Sequence, residues 1–174
     1  LGTVHALVAL VGWAFALAAG DFFPIIGANA ARTSTLLNVV SGVYPLDRGQ
    51  IELAGRDVSR LPEYKRAAYI GRVFQDPMMG TASEMSIEEN LSMAKRRGQR
   101  RSLAPGLRGS ERENYVHILK QLGLGLESRL KDKVGLLSGG QRQALTLLMA
   151  TIKKPDLLLL DEHTAALDPT TATK

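Results

Sequence analysis

Leu137-Ser138-Gly139-Gly140-Gln141-Arg142-Gln143 is the stretch on which the reading of the whole chain turns. It precedes apolar residues that recur at helical spacing from about Gln141 to Ile152, so it opens a helix. Ser138 and the glycine amides then form a helix N-terminus able to receive an anion. Lys153-Lys154-Pro155 ends that helix, and Leu157-Leu158-Leu159-Leu160 follows. Four leucines in a row predict a strand buried on both faces, as in a parallel sheet. Asp161-Glu162 closes the strand with two carboxylates, one for a metal and one for a water. Separately, a helix cap and a surface acid pair explain these features; their order along the chain is not explained that way.

Upstream, Phe22-Phe23-Pro24-Ile25-Ile26-Gly27 is a short apolar run ending in glycine, and Leu36, Leu37, Val39 and Val40 have helical spacing. Between them lies Gly27-Ala28-Asn29-Ala30-Ala31-Arg32-Thr33-Ser34-Thr35, where a phosphate loop G-x-x-x-x-G-K-[ST] would lie. In that loop glycines let backbone N–H groups wrap phosphates, lysine neutralises them, and the hydroxyl binds Mg²⁺. Gly27 and Ser34 fit, whereas Arg32 replaces the glycine and Thr33 the lysine. Taken alone, an ordinary strand-to-helix turn explains the stretch equally well.

Ser41-Gly42 stops the helix, Gln50 to Leu53 alternates as a strand with a turn at Ala54–Asp57, Leu61 to Ala68 reads as helix, and Tyr69 to Phe74 as strand. Ser86 with Glu89 and Ser110 with Glu113 have capping-box spacing. Gly123 and Gly125 end the second of those helices. Strands alternating with helices imply an α/β core with a helical insert.

With these motifs in order, the chain resembles the nucleotide-binding subunit of ATP-binding-cassette (ABC) transporters from about Gly20 to Lys174. The signature is Leu137–Gln143. Asp161-Glu162 and Ala166-Leu167-Asp168 are similar to the family's Walker B and D-loop, and Val73-Phe74-Gln75-Asp76-Pro77 to its Q-loop. The resemblance implies a P-loop NTPase-like (RecA-like) fold, a mostly parallel sheet core with a helical subdomain insert, incomplete at both ends. It implies one ABC-type ATP-binding domain over 1–174, with the core at about 20–75 and 138–174 and the helical signature subdomain at about 76–137.

It also implies ATP and Mg²⁺, with two domains pairing head to tail and ATP clamped between the phosphate loop of one and the signature of the other. Gly27, Asn29, Ala30, Arg32, Thr33, Ser34 and Thr35 would line the nucleotide, Thr35 at the α-phosphate. Ser138, Gly139, Gly140 and Gln141 would reach the γ-phosphate across the dimer. Ser34, Asp161 and Gln75 would serve Mg²⁺, and Glu162 would act as the general base on the attacking water. The implied partners are a second copy, transmembrane permease subunits and a solute-binding protein, with the chain peripheral on the cytoplasmic face of a bacterial membrane. The string Asp161–Pro169 is similar to a subgroup of importers for amino-acid-like solutes.

The departures cluster early. Losing the lysine removes a charged donor at the β/γ-phosphates, which implies a hydrolysis-deficient nucleotide-binding module as the alternative function. Arg32 is expected not to rescue it, because its side chain occupies the glycine's place. Pro24 removes a donor from an expected central strand. Trp13 and Phe15 are candidates to stack on adenine, with core burial as the alternative. His163 follows the acids, where the broader family more often has proline, and reads as a loop residue. The chain ends before the family's switch histidine, and an unfinished sheet is expected to expose an edge that favours aggregation.

The 174 residues contain no cysteine, which excludes disulfides, zinc ribbons, iron–sulfur clusters and thiol nucleophiles. None of the three histidines pairs at ligand spacing. Residues 1–20 carry no Asp, Glu, Lys or Arg, and the apolar run Val4–Ala19 is shorter than the roughly 20 residues of a membrane helix. No positive segment precedes it as in a signal peptide, so a pair of buried strands is expected. The net charge is +5, and Lys95, Arg96, Arg97, Arg100, Arg101 and Arg108 read as a solvated loop with a charged rim. No aromatic residue lies among them to stack a base, so nucleic acid is not an expected partner, and a nucleic-acid-associated ABC ATPase is the least favoured alternative.

Overall fold

The computed structural model describes residues 4–10, 13–18, 20–25, 30–99, 106–107 and 109–161, with backbone alone for 4–10, 13–15 and 30–32. Its elements run β1 (Val4–Leu10), β2 (Trp13–Ala18), α1 (Ala30–Ser41), β3 (Gly49–Leu53), β4 (Arg56–Asp57), α2 (Glu63–Arg66), β5 (Ile70–Val73), α3 (Ile87–Lys95), α4 (Gly109–Lys120), α5 (Gly139–Thr151) and β6 (Leu157–Leu160). Two compact units result, one from Leu1–Gly71 with Pro155–Leu159, the other from Arg72–Lys154 with Leu160–Lys174.

The first unit is built on an antiparallel sheet in the order β2-β1-β3-β4. The charge-free start of the chain therefore forms strands: β1 pairs with β2 on one side, Leu7 opposite Ala16, and with β3 on the other, Val8 opposite Ile51. β2 lies at the edge of the described sheet; of its described side chains, those of Ala16 and Ala18 are exposed and that of Leu17 packs against the core. In β3 the alternation sends Ile51 and Leu53 inward onto Leu37 and Val40 of α1, with Val58, Ile70 and Leu159 completing the cluster. Full burial of each such side chain contributes about 1.5–3 kcal/mol. Ala54 and Gly55, both at positive φ, make the tight turn, and Arg56-Asp57, expected within it, pairs back as β4.

Arg66 is the most buried charge of this unit, 2% exposed. Its Nη1 donates to Val39 O (2.8 Å) and Val40 O (2.9 Å), Nε to Leu61 O and Nη2 to Ser59 O. At the end of α1, Val40 O is thus satisfied by a cation, which also reinforces Val39 O beside its bond from Gly42 N at 3.2 Å. Gly42 ends the helix at φ 89°, and a Cβ there would lie 3.0 Å from the Arg66 side chain.

Two expectations fail here. Residues 21–25 form no strand, and Phe22 (83% exposed) and Phe23 (50%) face outward. A reciprocal turn, Asp21 N to Ala18 O and Ala18 N to Asp21 Oδ2, redirects the chain, and Pro24 offers no donor to a ladder. The proline anomaly disappears, because this proline sits outside any strand. The helix expected over Leu61–Ala68 shrinks to Glu63–Arg66, begun by Pro62 without a side-chain cap.

In the second unit, Ile87 and Leu91 of α3, Tyr115 and Leu119 of α4, Leu126, Val134 and Leu145 of α5 share one core. Asn90, fully buried, ties down the loop before α3: its Oδ1 accepts from Ala82 N and its Nδ2 donates to Ala82 O and Ser86 O. Glu88 receives a fork from Arg112, at 2.7 and 2.9 Å, that clasps α3 to α4. β5 and β6 form a two-stranded sheet. Tyr69 O accepts from Asp156 N in the first unit and Val73 O from Asp161 N in the second, so both strands advance together and are parallel. The parallel part of the described sheet structure is this pair. Leu159 alone of the four leucines is buried, since β5 is the only neighbour of β6 among the described residues.

The solvated basic loop is a further correction. Lys95 and Arg96 pair with Glu111 at 3.0 and 2.7 Å, and Arg97 Nη2 donates to Ala150 O and Lys153 O. Arg100, Arg101 and Arg108 lie outside the described residues. Ser110 is not a cap either, because α4 starts one residue earlier, at Gly109.

The Ser86–Glu89 box forms as expected: Ser86 Oγ accepts from Glu89 N, and Glu89 Oε2 accepts from Ser86 N at 2.7 Å. Backbone and side-chain hydrogen bonds from Ser86 lower the Glu89 pKa below its ordinary 4.5. A depressed carboxylate stabilises the fold above its unfolded pKa and loses that contribution as pH falls through the folded value. Glu89→Gln should therefore be less stable than the parent at neutral pH, with the gap closing below about pH 4.5 in urea titrations.

Candidate functional site

α5 is placed by its two ends. At its start Ser138 is extended (φ −63°, ψ 161°); its Oγ accepts from Gln141 N, and Gln141 Oε1 accepts from Ser138 N at 3.2 Å. Gln141 Nε2 also donates to Leu124 O, and Arg142 Nη2 to Gly135 O and Leu137 O, so the loop entering the helix is held from both sides. Ser138 and Gly139 are exposed, and no heavy atom comes within 4 Å of a Cβ built on Gly139 or Gly140. First-turn N–H groups have no acceptor within their own helix. The opening of α5 is therefore an uncovered cluster of donors. At the far end, Arg97 gathers the carbonyls of Ala150 and Lys153, and Lys153 Nζ returns a bond to Arg97 O.

Asp161 follows β6 directly, and its N–H is bonded to Val73 O. Gln75, exposed, follows the same Val73 by two residues. Both leave the sheet at the carboxyl ends of neighbouring parallel strands, where ligands of open α/β sheets bind. Asp161 Oδ2 stands 3.9 Å from Arg72 Nη2, with both side chains mostly buried. The loop after Gln75 is a dense turn: Met78 N bonds Asp76 Oδ1, Gly80 N bonds Pro77 O, and Thr81 Oγ1 bonds Pro77 O. It delivers Gly80 onto α5, where a Cβ would lie 2.6 Å from Thr146 Cγ2.

In the first unit, Thr33 and Ser34 are half-buried in α1 and Thr35 is exposed. Ala30 and Arg32 belong to α1 by backbone, with side chains outside the description, as are those of Trp13 and Phe15 in β2. Gly27, Asn29, Glu162, His163, Ala166, Leu167 and Asp168 lie outside the described residues. No group of three or more His, Cys, Asp or Glu that could hold a metal occurs among the described residues. Arg72 escaped the motif reading, because its role lies in a neighbour on another strand. The Gln141 half of the cap was visible as serine-x-x-glutamine spacing.

The sequence model of the ABC transporter family matches residues 10–165. The chain belongs to the ABC transporter family. Over 153 residues it is 47% identical to the tyrosine transport ATP-binding protein of Clostridioides difficile, which covers 88% of this chain and 61% of that protein. It is 35% identical to the methionine import ATP-binding protein MetN of Rhizobium johnstonii, covering 94% of this chain and 43% of that one. The chain thus spans less than two thirds of these relatives' lengths. A nucleotide-free ATP-binding cassette from an ABC transporter has the same fold, with TM-score 0.74 at 24% identity over 97% of this chain and 73% of its own. CbiO1 of Clostridium perfringens, part of the ABC transporter complex cbiONQ, superposes with TM-score 0.73 at 25% identity, covering 98% and 70%. The α/β architecture is accordingly that of the family's P-loop cassettes.

Because a methyl at Gly80 has no room, Gly80→Ala should destabilise this ABC chain by about 1–3 kcal/mol. Thr146→Ser removes the opposing methyl and keeps the Oγ1 bond to Arg142 O (2.7 Å), so the double variant should recover most of the loss. Urea midpoints of the four proteins check this; an unperturbed Gly80→Ala would contradict the packing.

Proposed function

We propose that the chain binds MgATP and serves as the ATP-hydrolysing subunit of a bacterial importer for amino-acid-like solutes. The observation that carries this reading is the uncovered, capped opening of α5, where Ser138, Gly139 and Gly140 offer a hydroxyl and backbone N–H groups to an anion. The tyrosine and methionine transport functions of the two relatives support the solute class.

In this reading, Gly27, Asn29 and Ala30 present backbone donors to the phosphates, and Thr35 contacts the α-phosphate. The hydroxyl of Ser34, the carboxylate of Asp161 and the amide oxygen of Gln75 are hard oxygen donors of the kind Mg²⁺ takes. Mg²⁺ supplies neutralisation of charge on the β- and γ-phosphate oxygens. Glu162 accepts a proton from water as the water oxygen attacks the γ-phosphorus in line and the bond to ADP breaks. Ser138, Gly139, Gly140 and Gln141 serve the γ-phosphate of a second copy paired head to tail. Permease subunits and a solute-binding protein complete the assembly, with this chain peripheral on the cytoplasmic face. No helix of the described residues is long and apolar enough to cross a membrane.

Thr33 favours a second reading, a module that binds nucleotide and hydrolyses it poorly. A short neutral hydroxyl stands where the phosphate loop's lysine would, and losing one preorganised charged donor costs on the order of 3 kcal/mol in the transition state. That is about a hundredfold in rate.

Fluorescent-nucleotide titration and phosphate release, each with Mg²⁺, separate the readings. Binding with slow release is expected from the parent chain, and Thr33→Lys with Arg32→Gly should raise release about a hundredfold. Unchanged release would contradict the account of the loop. A parent chain that binds no nucleotide would overturn the ATP reading itself.

A further inference from the structure

Arg72 belongs to none of the motifs, yet it faces the acid of one. It is the third residue of β5, and its guanidinium carbon sits 4.5 Å above the ring of Phe74 while Nη2 stands 3.9 Å from Asp161 Oδ2. The two side chains are 12% and 15% exposed, so water screens the pair only partly. At 3.9 Å the contact is a charge pair and not a hydrogen bond. The ring holds the cation in place without neutralising it. Asp161 therefore carries a resident counter-charge.

We propose that Arg72 is a positioning residue that sets the Mg²⁺ requirement of the site, acting as the counter-ion of Asp161 that a divalent cation must outcompete. The inference rests on the MgATP reading above. A fixed positive charge beside a carboxylate lowers the attraction of that carboxylate for a second cation. In the cation-free protein the same charge offsets part of the cost of the mostly buried Asp161 carboxylate. Arg72 thus stabilises the empty site and raises the Mg²⁺ concentration needed to fill it.

Two measurements test this. In the first, fluorescent-nucleotide binding is titrated against Mg²⁺ for the parent chain, Arg72→Gln and Arg72→Lys. Arg72→Gln should lower the half-saturating Mg²⁺ about three- to tenfold, and Arg72→Lys, which keeps the charge, should stay near the parent. An unchanged or raised Mg²⁺ requirement in Arg72→Gln would overturn the inference and leave the ATP reading intact. A parent chain without Mg²⁺-dependent nucleotide binding would instead overturn that reading and this inference together. The second measurement needs no nucleotide: a double-mutant cycle in urea unfolding with Arg72→Gln, Asp161→Asn and both changes. Attraction predicts that the second change costs about three- to tenfold less in the unfolding constant once the first is made; strict additivity would show that the pair does not interact.

Discussion

A helix buried in protein at its carboxyl end must find partners for its last carbonyl oxygens, and this chain meets that requirement with arginine. Arg66 takes Val39 O and Val40 O at the end of α1; Arg97 takes Ala150 O and Lys153 O near the end of α5. In each unit the arginine comes from a different element than the helix it caps. Among the described residues neither arginine forms a close ion pair, although Asp57 attracts Arg66 at longer range, and burial lowers both guanidinium pKa values. Arginine nevertheless stays charged, because its ordinary value lies so far above neutrality. What compensates the desolvation is the negative end of a helix dipole and several oriented carbonyls.

That division of labour places both arginine clasps at the carboxyl ends of their helices. α5 satisfies part of its own start with the reciprocal Ser138–Gln141 bonds, while Gly139 and Gly140 stay bare. A glycine pair costs helix propensity, roughly 1 kcal/mol each relative to alanine. The core contacts of Leu145 and the Arg97 clamp at the far end offset that cost, so the opening can remain uncovered without fraying. The Gly80 contact on Thr146 adds a second anchor along the helix side. The donor cluster at the start of α5 is thus held by residues well away from it.

Local patterns showed through wherever the physics is local. The serine that opens α5, the Ser86–Glu89 box and the alternation of β3 are all set by neighbours within four residues, and each is found where the sequence places it. An apolar run ending in glycine suggests a strand at Phe22 and Pro24 where none forms, although the proline itself argues against a ladder. The basic run at 95–97 was misread for a different reason: its partners, Glu111, Ala150 and Lys153, are remote in sequence, and charge alone says nothing about which charges find them. The same limit hid Arg66 and Arg72. Motif spacing captured the family and the start of α5 at Ser138, whereas the long-range cations needed three dimensions.

The exchange at Thr33 bears on what such a site can retain. Backbone N–H groups and hydroxyls that bind ground-state phosphate add affinity, and they add rate only where their bonds strengthen as charge develops. A lysine ammonium at the bridging oxygens acts differently, because charge accumulates there as the bond to the leaving group breaks. Replacing it with a hydroxyl therefore subtracts more from hydrolysis than from binding. If the proposed MgATP reading holds, a chain that keeps the donors of α5 and the acid after β6 while carrying Thr33 in α1 holds nucleotide longer than it turns it over. On the proposed reading, the residence time of the nucleotide is then the property on which Thr33 acts.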